Sequence, residues 1–131
     1  MTIKGPAGSG VMATGKIVAK AAVKADYHIF GYPEYPSLIK GGINTFQIVV
    51  SDAEVRGPRQ NNDQVFEVGN DNLQTARDAC KWLGIEEKHV ASATDETVGI
   101  KKQENRLEII SGNEALAEGF LAAGGNFCAI Y

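Results

Sequence analysis

The stretch Thr2-Ile3-Lys4-Gly5-Pro6-Ala7-Gly8-Ser9-Gly10-Val11, residues 2–11, decides the fold. Thr2 to Lys4 is a short strand candidate, and the run Gly5 to Gly10 is too rich in glycine and proline for anything but a loop. A helix follows at once. Val11, Thr14, Val18, Ala21, Ala22 and Ala25 recur at helical spacing, while Lys16, Lys20 and Lys24 fall four apart on another face. Beyond Asp26, Tyr27-His28-Ile29-Phe30 is β-branched and aromatic and is bounded by Gly31, which predicts a second strand. Strand, glycine-rich loop, helix and strand make a βαβ unit. The right-handed crossover of such a unit gives a parallel pair and puts the loop at the C-terminal ends of the strands, where ligands bind in open α/β sheets.

Outward from that unit the pattern loosens. Tyr32 to Gly42 holds Pro33, Pro36, Gly41 and Gly42, which predicts a constrained loop that no helix interior or central strand can include. Asn44 to Val50 then alternates as a third strand, with Phe46, Ile48 and Val50 on one face and Thr45, Gln47 and Val49 on the other. Residues 57–63 are polar and carry no periodic signal. Leu73, Ala76, Cys80 and Leu83 mark a helix over 72–83 that Gly84 ends. Val98 to Gln103 and Arg106 to Ile110 are weaker strand candidates around Asn105. Ser111-Gly112-Asn113-Glu114 opens another helix, with Leu116, Ala117, Phe120 and Leu121 expected inward and Gly124-Gly125 closing it. Phe127 to Tyr131 reads as a buried-type strand, so the expectation is an incomplete sheet in a chain cut short.

Composition narrows the function. A length of 131 residues favours one compact unit, and 44% hydrophobic with 22% charged residues is ordinary globular composition. A net charge of −3 and the lack of a Lys/Arg run with interleaved aromatics argue against nucleic acid. No apolar stretch approaches the roughly 20 residues that span a bilayer, and the N-terminus lacks a basic region followed by an apolar one, so the expectation is a cytoplasmic chain with no membrane partner. Cys80 and Cys128 stand apart without a Cys-x-x-Cys pair or a His at ligand spacing, and both read as small buried hydrophobes with no metal site.

Several motifs invite a chemical reading. Gly8-Ser9-Gly10-Val11-Met12-Ala13 fits the G-x-G-x-x-G/A dinucleotide pattern between a strand and a helix, and aims backbone N–H groups at an anion. The acidic residue that should hold a ribose about 20 positions on is replaced by an aromatic, proline-rich segment in which Glu34 follows Tyr32. A tight turn with close helix packing is therefore the competing reading. Gly10 to Lys16 resembles a P-loop, but Ile17 stands where a Mg²⁺-binding hydroxyl is needed. His28 and His89 lack a nucleophile or carboxylate partner by spacing and read as structural, while Glu86-Glu87 and Asp95-Glu96 read as solvated charge. No catalytic residue is assigned. The α/β class is a Rossmann-like open parallel sheet with flanking helices.

Three linked motifs carry a family resemblance: Lys4-Gly5-Pro6-Ala7-Gly8-Ser9-Gly10-Val11, Gly15-Lys16-Ile17-Val18-Ala19, and Gly31-Tyr32-Pro33-Glu34-Tyr35-Pro36-Ser37-Leu38-Ile39-Lys40-Gly41-Gly42. Over residues 2 to about 63 the chain resembles the gamma domain of the 2-oxoacid:ferredoxin (2-oxoacid:acceptor) oxidoreductases. That domain opens G-x-G-G-Q-G-V and later shows Pro-Ser-x-x-Arg-Gly-Gly; here Ala7 and Ser9 replace the usual Gly and Gln, and Lys40 the usual Arg. Ser111 to Tyr131 is similar to the opening of the alpha domain, which faces the pyrimidine end of thiamine diphosphate.

The resemblance implies three segments: 1–63 as the N-terminal part of gamma, 64–110 as a shortened remainder or connector, and 111–131 as the start of alpha. It implies for the parent enzyme oxidative decarboxylation of a 2-oxoacid on thiamine diphosphate with Mg²⁺, acyl transfer to coenzyme A, and electrons passing through iron–sulfur clusters to ferredoxin. None of those centres has its ligands in this chain, so the expectation is a scaffold or interface for alpha and beta modules, inactive alone. Gly5, Gly8, Ser9, Gly10, Lys40, Gly41 and Gly42 are the candidate anion-holding residues, and Tyr32, Glu34, Tyr35, Pro36 and Leu38 the candidate interface. The alternative is a stand-alone nucleotide- or phosphate-binding module.

Overall fold

The computed structural model describes residues 1–36, 41–58, 64–95 and 112–125. The expected strands 98–103, 106–110 and 127–131 lie outside them. In chain order the elements are β1 (Thr2–Pro6), α1 (Val11–Lys24), β2 (His28–Glu34), β3 (Ile43–Ser51), β4 (Val65–Glu67), α2 (Asn72–Trp82), α3 (Glu87–Thr94) and α4 (Gly112–Ala122). The four strands form one open sheet in the order β2-β3-β1-β4, and helices flank it, so the fold is α/β.

The crossover through α1 does make β1 and β2 run in the same direction, because both pair antiparallel with β3. They are not neighbours. β3 enters between them, and the parallel partner of β1 is β4, with Thr2 opposite Val65 and Lys4 opposite Glu67. The sheet is therefore mixed. Strand order depends on which edges meet, which periodicity within a strand does not encode.

Two strands run further than their glycines and prolines suggest. β1 continues through Gly5 and Pro6, opposite Asn44 and Ile43, where β4 pairing has already ended and a missing N–H costs little. β2 continues through Gly31 and Pro33 to Glu34, opposite Thr45, because it is an outer strand on which proline is tolerated. Tyr32 and Glu34 thus belong to β2 rather than to the loop expected from the sequence.

Ile3, Phe46 and Ile48 are buried on the face that α1 covers, as alternation along β3 predicts, with Val50 partly buried beside them. α1 presents Val11, Thr14, Val18, Ala21 and Ala22 to the interior, and its small residues let α2 and α3 pack closely against it through Ala76, Ala79, Cys80, Val90 and Ala93. The Phe46 ring lies under Gly15 of α1 and against Gly31 of β2. A Cβ at Gly15 would come within 2.6 Å of that ring, and one at Gly31 within 3.0 Å. At the far end of α1, Lys24 Nζ donates to the carbonyl and hydroxyl oxygens of Ser92 and fastens α3.

Helix ends follow capping chemistry. In α2 the Asp71 carboxylate accepts from Gln74 N at 2.9 Å, while Gly84 N and Ile85 N donate back to the Lys81 and Cys80 carbonyls. α1 closes in the same way through Asp26 and Tyr27, so Asp26 takes a left-handed φ of 64°. α3, a short helix of eight residues, was not foreseen, since only Val90 and Ala93 mark its inner face. The inward expectation for α4 does not hold: Leu116 is 74% and Leu121 68% exposed, because α4 packs against no other described element.

Candidate functional site

The two motif-bearing loops meet. Ala7 N donates to Gly42 O at 3.1 Å, joining the turn after β1 to the segment that enters β3. Strand direction makes this contact possible. β1 and β2 both end at this edge of the sheet and β3 begins there, so Pro6, Glu34 and Ile43 lie at one border.

Within the turn, Ser9 N donates to Pro6 O at 3.0 Å, and Gly8 and Gly10 adopt φ of 86° and 87°. That left-handed geometry is open to glycine at almost no cost and to other residues with strain. Gly10 is the N-cap of α1, has no side-chain cap bond to offer, and accepts from Thr14 N at 2.9 Å. No acidic residue lies in the first turn of α1. The helix start is therefore an electropositive end with backbone N–H groups from Val11, Met12 and Ala13 and no competing carboxylate on that turn.

Asn72, the first residue of α2, is the contributor that the sequence did not signal. Its carboxamide occupies the space that a Cβ on Gly10 would fill, and its backbone carbonyl accepts from Thr14 Oγ1 at 3.5 Å. The starts of α1 and α2 are thus tied together at the C-terminal ends of the parallel pair β1 and β4. Gly10 is fixed by this packing as much as by the turn, whereas a Cβ on Gly8 would meet nothing within 4 Å.

Ser9 turns the other way. Its Oγ is buried without a hydrogen-bond partner among the described residues and lies 2.5 Å from where a Cβ on Gly5 would stand, next to Val11 and Val68. Its side chain faces apolar packing and is not one of the donors at the helix start. Of the second loop, Gly41 and Gly42 have φ of 72° and 106°. Lys40 and Leu38 lie outside the described residues.

The candidate interface residues divide into two groups. Glu34 Oε2 accepts from Thr45 Oγ1 at 3.0 Å and Gln47 Nε2 at 3.2 Å, and Gln47 Oε1 accepts from Thr2 Oγ1 at 2.7 Å, a polar ladder across the sheet face opposite α1. Tyr32 packs its ring against Phe30 on that face, with centroids 5.9 Å apart. Tyr35 is 61% exposed, Pro36 is half-buried, and Ile43, beside Gly42, is 58% exposed. Among the described residues the border of the joined loops thus carries two large uncovered side chains, Tyr35 and Ile43.

Elsewhere the ionisable groups behave as surface or core. Glu86 pairs with Lys88 at 2.9 Å, and the Lys88 hydrogen bond and charge hold the Glu86 carboxyl below its ordinary value; Arg77 pairs with Glu87 at 2.7 Å. Lys4 and Glu67 pair at 2.9 Å across β1 and β4, an exposed bridge worth at most about 1 kcal/mol. Cys80 is buried in the core as expected, and burial, with the nearby Glu87 charge adding, pushes its thiol up to about 11. Cys128 lies outside the described residues. Among those residues no three or more His, Cys, Asp or Glu side chains are grouped to hold a metal ion, and no helix is long and apolar enough to cross a membrane.

Comparison with known proteins adds a family. The model of the pyruvate ferredoxin/flavodoxin oxidoreductase family matches residues 1–111. The alpha subunit of a 2-oxoacid:ferredoxin oxidoreductase from a Sulfolobus species is 39% identical over 61 residues, 47% of this chain. The match spans only 10% of that relative's length. Among solved structures, the 2-oxoglutarate:ferredoxin oxidoreductase from Magnetococcus marinus, with 2-oxoglutarate, coenzyme A and succinyl-CoA bound, superposes on 60% of this chain and 14% of its own. The TM-score is 0.47 and the identity 20%.

Proposed function

The chain belongs to the pyruvate ferredoxin/flavodoxin oxidoreductase family, and from that premise we propose that it is a gamma-type module of a 2-oxoacid:ferredoxin oxidoreductase. It serves as scaffold and interface for the alpha and beta modules and turns over no substrate alone. The observation that carries this reading is the corner sealed by the Ala7–Gly42 hydrogen bond, with Tyr35 and Ile43 uncovered beside it. Large apolar side chains on a border fixed by backbone bonds are poised for burial against a partner without reorganisation of the loop.

In the parent enzyme thiamine diphosphate supplies carbanion stabilisation, coenzyme A accepts the acyl group and iron–sulfur clusters carry electrons to ferredoxin. Cys80 does not fit a cluster, which needs several thiolate ligands, because it is buried in the core and among the described residues no other cysteine, histidine or carboxylate groups with it to hold a metal. The described residues do not group as Mg²⁺ ligands either. The phosphates of coenzyme A are different. Their charge matches the α1 start, where Val11, Met12 and Ala13 would hold them through backbone N–H groups.

That donor set supports the second reading, a nucleotide- or phosphate-binding module, and calorimetry separates the two. Titration with coenzyme A, NADH and ATP is expected to give no binding tighter than about 100 μM, roughly −5.5 kcal/mol. Tighter binding favours the module if Ala13→Glu abolishes it and Ser9→Ala does not. Ala13 is exposed, and a carboxylate in the first turn stabilises a helix while repelling an anion, so this variant keeps the fold. Gly10→Val would not serve, since its side chain strikes Asn72. Viologen reduction by the chain with a 2-oxoacid, thiamine diphosphate, Mg²⁺ and coenzyme A is expected at the level of a no-protein control.

A further inference from the structure

We draw no further inference here: the strongest candidate, the apolar ledge of Phe66 and the half-exposed Trp82 beside the outer edge of β4, carries nothing because no feature of the structure shows what covers it.

Discussion

Gly15→Ala should destabilise the fold, although an alanine is normally the better helix residue. At an open helix position the exchange gains about 1 kcal/mol. Here the new Cβ would stand 2.6 Å from Cγ and Cδ1 of Phe46, about 1 Å inside ordinary van der Waals contact. The ring cannot retreat freely, because Phe46 is buried and its Cε1 and Cζ already lie 3.0 and 3.3 Å from where a Cβ on Gly31 would stand. Overpacking of this kind costs roughly 1–3 kcal/mol, so the net loss is of order 1 kcal/mol. The decisive test is a cycle with Phe46→Leu, which alone costs about 1–3 kcal/mol through lost packing but frees the space under Gly15. Urea unfolding followed by circular dichroism gives each value from the midpoint at constant slope. The double variant should be more stable than the sum of the single losses by at least about 1 kcal/mol. Gly15→Ala raising stability, or strict additivity, would refute the argument that the Phe46 ring fills the space a side chain at position 15 would need.

Asp26→Gly should stabilise the chain by about 1 kcal/mol, since residue 26 holds a left-handed φ to close α1 and glycine adopts it without a Cβ penalty; an unchanged or lower urea midpoint would contradict this. The Cys80 thiol, raised from 9.0 to about 11 by burial, contributes stability that is fully present below pH 9 and is lost as pH rises through 11, because the unfolded thiol releases its proton first. The urea midpoint should therefore fall more steeply between pH 9 and 11 in the wild type than in Cys80→Ala, a difference that cancels the titration of Tyr and Lys common to both.

Much of the frame was legible in the sequence. The period of Val11, Thr14, Val18, Ala21 and Ala22 gave α1 and its buried face, and alternation gave the inward Phe46 and Ile48. The two loops join at one sheet edge because β1 and β2 run in the same direction and β3 begins where they end, as the Ala7–Gly42 bond shows. What escaped was non-local. The insertion of β3 between β1 and β2 depends on edge pairing, and the extension of β2 through Gly31 and Pro33 depends on its place at the border. β4 has three residues, too few for alternation to register. Asn72 looked like an ordinary helix start, and only folding brings its carboxamide against Gly10. α4 was legible as a helix, but not its uncovered side, since an apolar stripe specifies burial without naming the surface that provides it.

The central claim is that the Tyr35–Ile43 border is an interface for the other modules of the oxidoreductase. Sedimentation velocity of the chain mixed with separately prepared alpha and beta modules tests it most directly, on wild type and on Tyr35→Asp with Ile43→Asp. Both side chains are more than half exposed, so the substitutions leave the core intact. The account predicts a complex with the wild type and at least tenfold weaker association, about 1.4 kcal/mol, with the double variant. No complex, or a complex that the double variant forms equally well, would contradict it.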